Sequence, residues 1–137
     1  MKKTSGWPLP ARMGLAAEFY QFCKLHELRF QRCTDCGTWR HLPRPICGSC
    51  GSFNYQWARS SGKGKVYSWI TVAQPMLPAF SAAAPYTVPL VDMDEGVRMV
   101  ALIEDTPPES MRIGMPVEVV FDDMTPEITV PRFRRAG

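Results

Sequence analysis

The sequence predicts a mainly β protein built from an N-terminal helix, a four-cysteine zinc ribbon and a five-stranded barrel. Three observations lead there. Thirteen prolines and ten glycines in 137 residues are too many for a helical bundle and instead punctuate short strands and turns. Four of the five cysteines fall as two Cys-x2-Cys pairs with ten residues between them. From Gly62 onward the chain breaks into short β-type segments separated by turn residues.

The chain is about one ordinary domain or two very small ones. With 45% hydrophobic and 21% charged residues it can bury a core and is not a disordered tail. There is no 18-residue apolar stretch, so no membrane-spanning helix is expected. The start, Met1 to Pro8, is basic but has no apolar run, so no secretory signal is read there and the expected compartment is the cytoplasm.

Residues 1–11 read as an irregular arm, because Pro8 and Pro10 block regular structure. Arg12 to Leu28 reads as a helix, with Leu15, Phe19, Phe22, Cys23 and His26 on one face. That Phe face needs somewhere to dock, either the protein's own barrel or a partner. Ribbon strands are expected at Arg29–Arg32, Thr38–Leu42 and Phe53–Trp57. Barrel strands are expected at Gly64–Ala73, Tyr86–Met93, Val97–Glu104, Pro116–Phe121 and Ile128–Phe133, with a tight turn at Asp94-Glu95-Gly96. Five strands at this spacing suit an OB-type barrel whose usual helix shrinks to a turn within Asp105–Gly114. The expected divisions are 1–28 for the arm and helix, 29–58 for the ribbon and 59–137 for the barrel.

Cys33, Cys36, Cys47 and Cys50 carry the clearest chemistry. Two thiolates three positions apart grip one metal only if the chain makes a tight knuckle between them. The knuckle favours a positive φ just after the second cysteine, where glycine has no Cβ penalty. Gly37 and Gly51 occupy both of those places. Four thiolates make a closed, structural site rather than a catalytic one, and zinc is the expected metal, with rubredoxin-like iron as the rival. Disulfides would suit a secreted chain. His41 lies between the pairs as a substitute ligand, and Cys23 reads as a small buried hydrophobe.

Charge is segregated. Residues 1–65 carry 11 Lys and Arg against 3 acids, whereas residues 66–137 carry 5 Arg against 10 acids. Two halves of opposite sign point to two different contact surfaces. Between two barrel strands, Gln74 to Pro85 is twelve residues of uncharged, largely apolar chain. Such a loop is a contact surface for a ligand or partner, or a plug over the barrel mouth.

Taken together, LRFQRCTDCGTW (28–39), PRPICGSCG (43–51), SGKGKVYS (61–68), PYTVPLVDMDEGVRMVA (85–101), IGMPVEVVF (113–121) and the Pro131-Arg132-Phe133 ending resemble the DUF35 family. The resemblance runs from about Phe19 to Phe133. It implies a zinc ribbon and OB-fold that accompany a thiolase-superfamily enzyme acting on acyl-CoA. The candidate partners include thiolases, acetyltransferases and the retro-aldolases of steroid side-chain degradation, in an expected two-plus-two assembly. It also implies the company of a MaoC-like hydratase, for which this sequence has no room, and a contribution to the CoA or acyl channel.

On this reading the chain is a non-catalytic subunit. The expected partner contact is Met76, Leu77 and Phe80 of the apolar loop, together with Phe19 and Phe22 of the helix. CoA phosphates would be met by Arg59, Lys63 and Lys65, with Arg44 beside them, where Lys63-Gly64-Lys65 reads as a turn exposing ammonium and backbone N–H groups. The competing reading is a nucleic-acid-binding module that stacks bases on Trp39, Trp57, Tyr67 and Trp69. The acidic half works against it, because a barrel of that sign repels phosphate.

Overall fold

The computed structural model describes residues 6–136. Of the expected arm, residues 1–5 lie outside the described residues, and 6–13 have no regular structure. Helix α1 covers Gly14–Lys24, shorter at both ends than expected. Its end is a backbone device. His26 takes a left-handed φ of 59°, its N–H donates to the Cys23 carbonyl at 2.8 Å, and the Glu27 N–H donates to the Phe22 carbonyl at 3.0 Å. This pair of bonds satisfies the last carbonyls and turns the chain out of the helix. His26 therefore leaves the helical face, donates from Nε2 to Asp123 Oδ1 at 2.9 Å and stacks on Phe121.

The helix docks on the chain's own core. Phe19 and Cys23 are buried there with Leu28, Phe30, Val66, Val91 and Phe133. Phe19 is spent inside the molecule and is not a surface for a partner, a correction to its assignment as a contact residue. Phe22 is half-buried against Trp57, with the Arg29 guanidinium over its ring. Burial pushes the Cys23 thiol up to about 12, as expected of a small hydrophobe rather than a nucleophile.

The ribbon is a three-stranded antiparallel sheet of β1 (Arg29–Cys33), β2 (Trp39–Arg40) and β3 (Tyr55–Arg59), in the order β2-β1-β3. The middle strand is shorter than Thr38–Leu42 because the segment to Pro45 leaves the sheet and crosses it. Its anchor is the Arg44 N–H, which donates to Gln31 Oε1 at 2.8 Å.

The barrel strands are β4 (Lys63–Val72), β5 (Tyr86–Met93), β6 (Arg98–Val100), β7 (Pro116–Asp123) and β8 (Thr129–Arg135), in the order β6-β5-β4-β7-β8. On β5, Thr87, Pro89, Val91 and Met93 alternate inward and are buried, the period-two signature of a half-buried strand. The expected strand at Val97–Glu104 splits. Arg98–Val100 pairs with β5. Residues 102–104 then switch to the other edge and close the curled sheet in parallel against Phe133. The Phe133 N–H donates to the Leu102 carbonyl and the Glu104 N–H to the Phe133 carbonyl, each at 2.8 Å. Closure removes two exposed strand edges at once.

Gly64 is not in a turn. It lies in β4, paired with Met93 on one side and Val117 on the other. A Cβ there would sit 2.6 Å from both the Asp92 carbonyl oxygen and Val91 Cγ1. The glycine serves close strand packing, so the backbone N–H groups expected to be exposed between Lys63 and Lys65 belong to the sheet.

His41 is packed against Phe30 and Phe19, with ring centroids 5.0 and 5.4 Å away. It is half-buried against the core and is not part of the four-sulfur cluster. Burial lowers its pKa to about 4. The native state thus resists protonation that the unfolded chain accepts near pH 6.5. Stability carried by neutral His41 is complete above that value and is lost as pH falls from about 6.5 toward 4. Urea unfolding at pH 7.5 and pH 5 should show wild type losing on the order of 2 kcal/mol more than His41→Leu over that interval. Equal losses in the two proteins would remove His41 from the core account.

Candidate metal centre and contact surfaces

The two cysteine turns are built alike. In the first, the Cys33 N–H donates to the Thr38 carbonyl and the Gly37 N–H to the Cys33 carbonyl. In the second, the Cys47 N–H donates to the Ser52 carbonyl and the Gly51 N–H to the Cys47 carbonyl. All four bonds are 2.9 Å. Gly37 and Gly51 have φ of 79° and 77°, the region a side chain would disfavour. Asp35 ties the turns together by accepting from the Ser52 hydroxyl and from Asn54 Nδ2. The Ser52 bond first, and then the Asn54 bond, hold its carboxyl below the usual range.

The four sulfurs lie within 4.8 Å of one another, with Cys33 to Cys50 and Cys36 to Cys47 each at 3.6 Å. A tetrahedral metal with bonds of about 2.3 Å needs sulfur separations of roughly 3.8 Å. The donor set therefore fits zinc with little movement. Backbone N–H groups of Cys36 and Asp35 lower the Cys33 thiol, and those of Cys50 and Ser49 bring Cys47 down to about 6. At Cys50 the Ser52 N–H pulls the same way, but the neighbouring Cys33 and Cys36 thiols outweigh it and push the group up to about 12. Four sulfurs this close cannot all ionise without a cation between them. Zinc here would supply folding free energy and leave no coordination position for substrate.

The ribbon also holds a buried polar row that sequence reasoning missed. Arg40, Gln31 and Trp57 are direct cross-strand neighbours. Arg40 is 3% exposed and Gln31 fully buried. Arg40 Nε donates to Gln31 Oε1 at 3.1 Å and to the Arg44 carbonyl at 3.0 Å, while its guanidinium lies over Tyr55. The row ties the crossing segment to the sheet. Nothing in local sequence marks Gln31 for burial, since it sits between a phenylalanine and an exposed arginine.

The proposed basic contacts are only partly gathered. Arg59, Lys63 and Lys65 are exposed around the turn that joins ribbon to barrel. Lys63 and Lys65 share one face of β4, because Gly64 between them faces inward. Arg44 sits instead on the crossing segment between β2 and β3, where its N–H donates to Gln31 Oε1. The apolar loop divides into two parts. A 3-10 turn at Pro78–Ala83 seats Ala83 in the interior. Phe80 packs edge-on against Trp7 at 4.7 Å and lies 6.3 Å from Tyr86. Met76 is 98% exposed and Leu77 49%. One half of the loop is thus packed on the barrel and the other is exposed to solvent. The aromatics proposed for base stacking are largely engaged: Trp39, Trp57 and Trp69 pack against the core, and Arg98 covers Tyr67.

The matching family models describe the ChsH2 rubredoxin-like zinc ribbon domain, over residues 21–56, and the ChsH2 C-terminal OB-fold domain, over residues 57–122. A solved structure described as the Ltp2-ChsH2(DUF35) aldolase is 40% identical, with a TM-score of 0.81 over 88% of this chain and 94% of that one. The chain belongs to the DUF35 family. It is 40% identical over 129 residues to a probable enoyl-CoA hydratase alpha subunit of Thermomonospora curvata. It is 36% identical over 107 residues to the 3-oxo-4,17-pregnadiene-20-carboxyl-CoA hydratase alpha subunit of Mycobacterium tuberculosis. The chain covers 94% and 78% of its own length in these matches, but only 40% and 33% of theirs. Among the described residues no helix is long and apolar enough to cross a membrane.

Cys47→Ser should release the metal and unfold the ribbon, because one thiolate contributes both ligation and folding free energy. Elemental analysis is expected to give one zinc per wild-type chain and a large loss in the variant. A reduced, folded wild-type sample without metal would contradict the site.

Proposed function

We propose that this DUF35 chain is a non-catalytic subunit that docks on a thiolase-superfamily enzyme acting on acyl-CoA and supports its assembly. The reaction served is carbon–carbon bond cleavage, of the kind that shortens a steroid side chain. The observation that carries the reading is the apolar loop. Its C-terminal half is anchored by Phe80 on Trp7, and its tip presents Met76 and Leu77 to solvent. A stiff apolar tip loses little freedom on docking. The relatives' names, an aldolase complex and acyl-CoA hydratase subunits, support an enzyme partner. Both histidines are committed to structure, His26 to Asp123 and Phe121 and His41 to the core. Catalysis on this reading belongs to the partner.

Arg59, Lys63 and Lys65 form the strip proposed to meet CoA phosphates, with Arg44 as an outlying member. The cross-strand neighbours of the lysines, Glu118 and Asp92, are themselves held by Arg134 and Arg98 at 2.8 Å. The strip therefore keeps its positive character, which suits a phosphate ligand.

Replacing Met76 and Leu77 together by Asp should weaken the complex at least a hundredfold while leaving zinc content intact, because each side chain contributes about 1.5–3 kcal/mol when buried. Phe80 is spared in this design because it holds the loop to the barrel. Co-purification of that variant at full stoichiometry would move the interface elsewhere. In the same complex, Lys63→Glu with Lys65→Glu should lower CoA-ester affinity about tenfold. Unchanged affinity would remove this chain from the CoA site.

A further inference from the structure

A cleft of about 950 Å3 opens at the barrel mouth, between the end of the apolar loop, the start of β5, the 102–109 segment and the end of β7. We propose that it receives a lysine- or arginine-bearing loop of the enzyme partner, gripped by Glu104, Asp105 and Glu109 above the Thr87 hydroxyl. The inference rests on the partner reading above and adds the chemistry of the partner's contact.

Of the five carboxylates that line the cleft, Asp122 and Asp123 already have partners, and Glu104, Asp105 and Glu109 supply the charge at its rim; Arg132 is the one guanidinium in the lining. Arg132 is already spoken for, since it pairs with Asp122 at 3.3 Å with both side chains about nine-tenths buried. Among the described residues, Glu104, Asp105 and Glu109 enter no ion pair, and all three are exposed. Their backbone is held firmly. The Glu104 N–H is one of the bonds that close the barrel, and the Thr106 hydroxyl donates to the Glu104 carbonyl at 2.9 Å. Three like charges on a fixed segment repel one another until a cation arrives.

A second observation points to a hydrogen-bonding occupant. Thr87 lines the cleft, is 3% exposed, and its hydroxyl has no partner. Buried hydroxyls are normally paired. A guanidinium or ammonium group meets both needs, supplying charge to the rim and N–H donors to the floor. Tyr86 and Phe121, which Trp7 and His26 already contact on one side, add apolar wall to the cleft.

The same features exclude other occupants. A metal ion needs its ligands gathered, and the described residues bring three or more His, Cys, Asp or Glu ligand atoms together only at the four cysteines. CoA phosphates and nucleic acid would be repelled. The volume exceeds that of one side chain, so a short segment fits better than a lone residue.

The test has two arms. In the first, the isolated zinc-loaded protein is titrated with acetyl-Gly-Arg-Gly-Arg-Gly-amide and with its glutamate counterpart, followed by amide NMR. Shifts at Thr87 and residues 104–109 with the arginine peptide alone, weakening as salt rises, are expected. Equal shifts with both peptides, or shifts confined to other surfaces, would overturn the proposal. In the second arm, Glu104→Lys, Asp105→Lys and Glu109→Lys are combined. Association with the thiolase-like partner should slow at least tenfold at low salt, with zinc content and melting temperature unchanged. Wild-type association by the folded variant would overturn the proposal. If the triple variant does not fold, Glu109→Gln with Asp105→Asn takes its place, and an unchanged association rate in that pair has the same force. Should no thiolase-like enzyme bind the wild-type chain, the proposed function fails, and the peptide titration still decides the cleft.

Discussion

Four sulfur atoms within 4.8 Å of one another bring the two cysteine turns of the ribbon to one point. The ribbon is too short to bury an apolar core of its own, and its strands β2 and β3 are hydrogen-bonded to β1 rather than to each other. Metal ligation supplies what packing does not. The two turns present their sulfurs through matched backbone bonds and matched positive-φ glycines. Once the knuckles are joined, the segment from His41 to Ile46 must cross the sheet. Its backbone then meets Gln31, and His41 drops between Phe19 and Phe30. The helix, the ribbon and the barrel meet at that point, in one continuous core.

The barrel meets a different constraint. A five-stranded sheet must curl until residues 102–104 reach Phe133, and that closure places the acidic 104–109 segment at the mouth. The apolar loop is pinned at the same end by Phe80 on Trp7. An apolar tip and an acid-lined cleft therefore stand at one end of the barrel, while the basic side chains cluster toward the ribbon junction. On the function proposed above, one end would meet the protein partner and the other the anionic ligand.

Some of this was legible in the sequence, for definite reasons. The knuckles are local, so Cys-x2-Cys-Gly carries its own geometry, and the strand Tyr86–Met93 is bounded in sequence by Pro85 and the Asp94-Glu95-Gly96 turn. Other features depend on distant residues. The helix was expected to reach Leu28 because His26 is apolar enough for the face, but a left-handed His26 ends it at Lys24. The strand at Val97–Glu104 was read as continuous because its switch of partner is a property of the closed barrel. Gly64 was read as a turn because glycine serves both turns and crowded strands, and only the carbonyl of Asp92 decides between them. Phe19 looked available because the core it joins, which includes Phe30 and Phe133, is assembled from other parts of the chain. The acids of the cleft showed in the sequence only as an excess of charge, since 104, 105 and 109 come to line one cleft with 122 and 123 only in the fold.

The central claim is that this chain exists to be bound by an acyl-CoA enzyme through a fold that zinc completes. Native mass spectrometry of the chain co-expressed with a thiolase-superfamily enzyme tests it most directly. The account predicts a mixed assembly of two copies of each chain that retains one zinc per copy of this protein. Two separate species, each at its own homomeric mass and with no mixed assembly at any protein concentration tried, would contradict it.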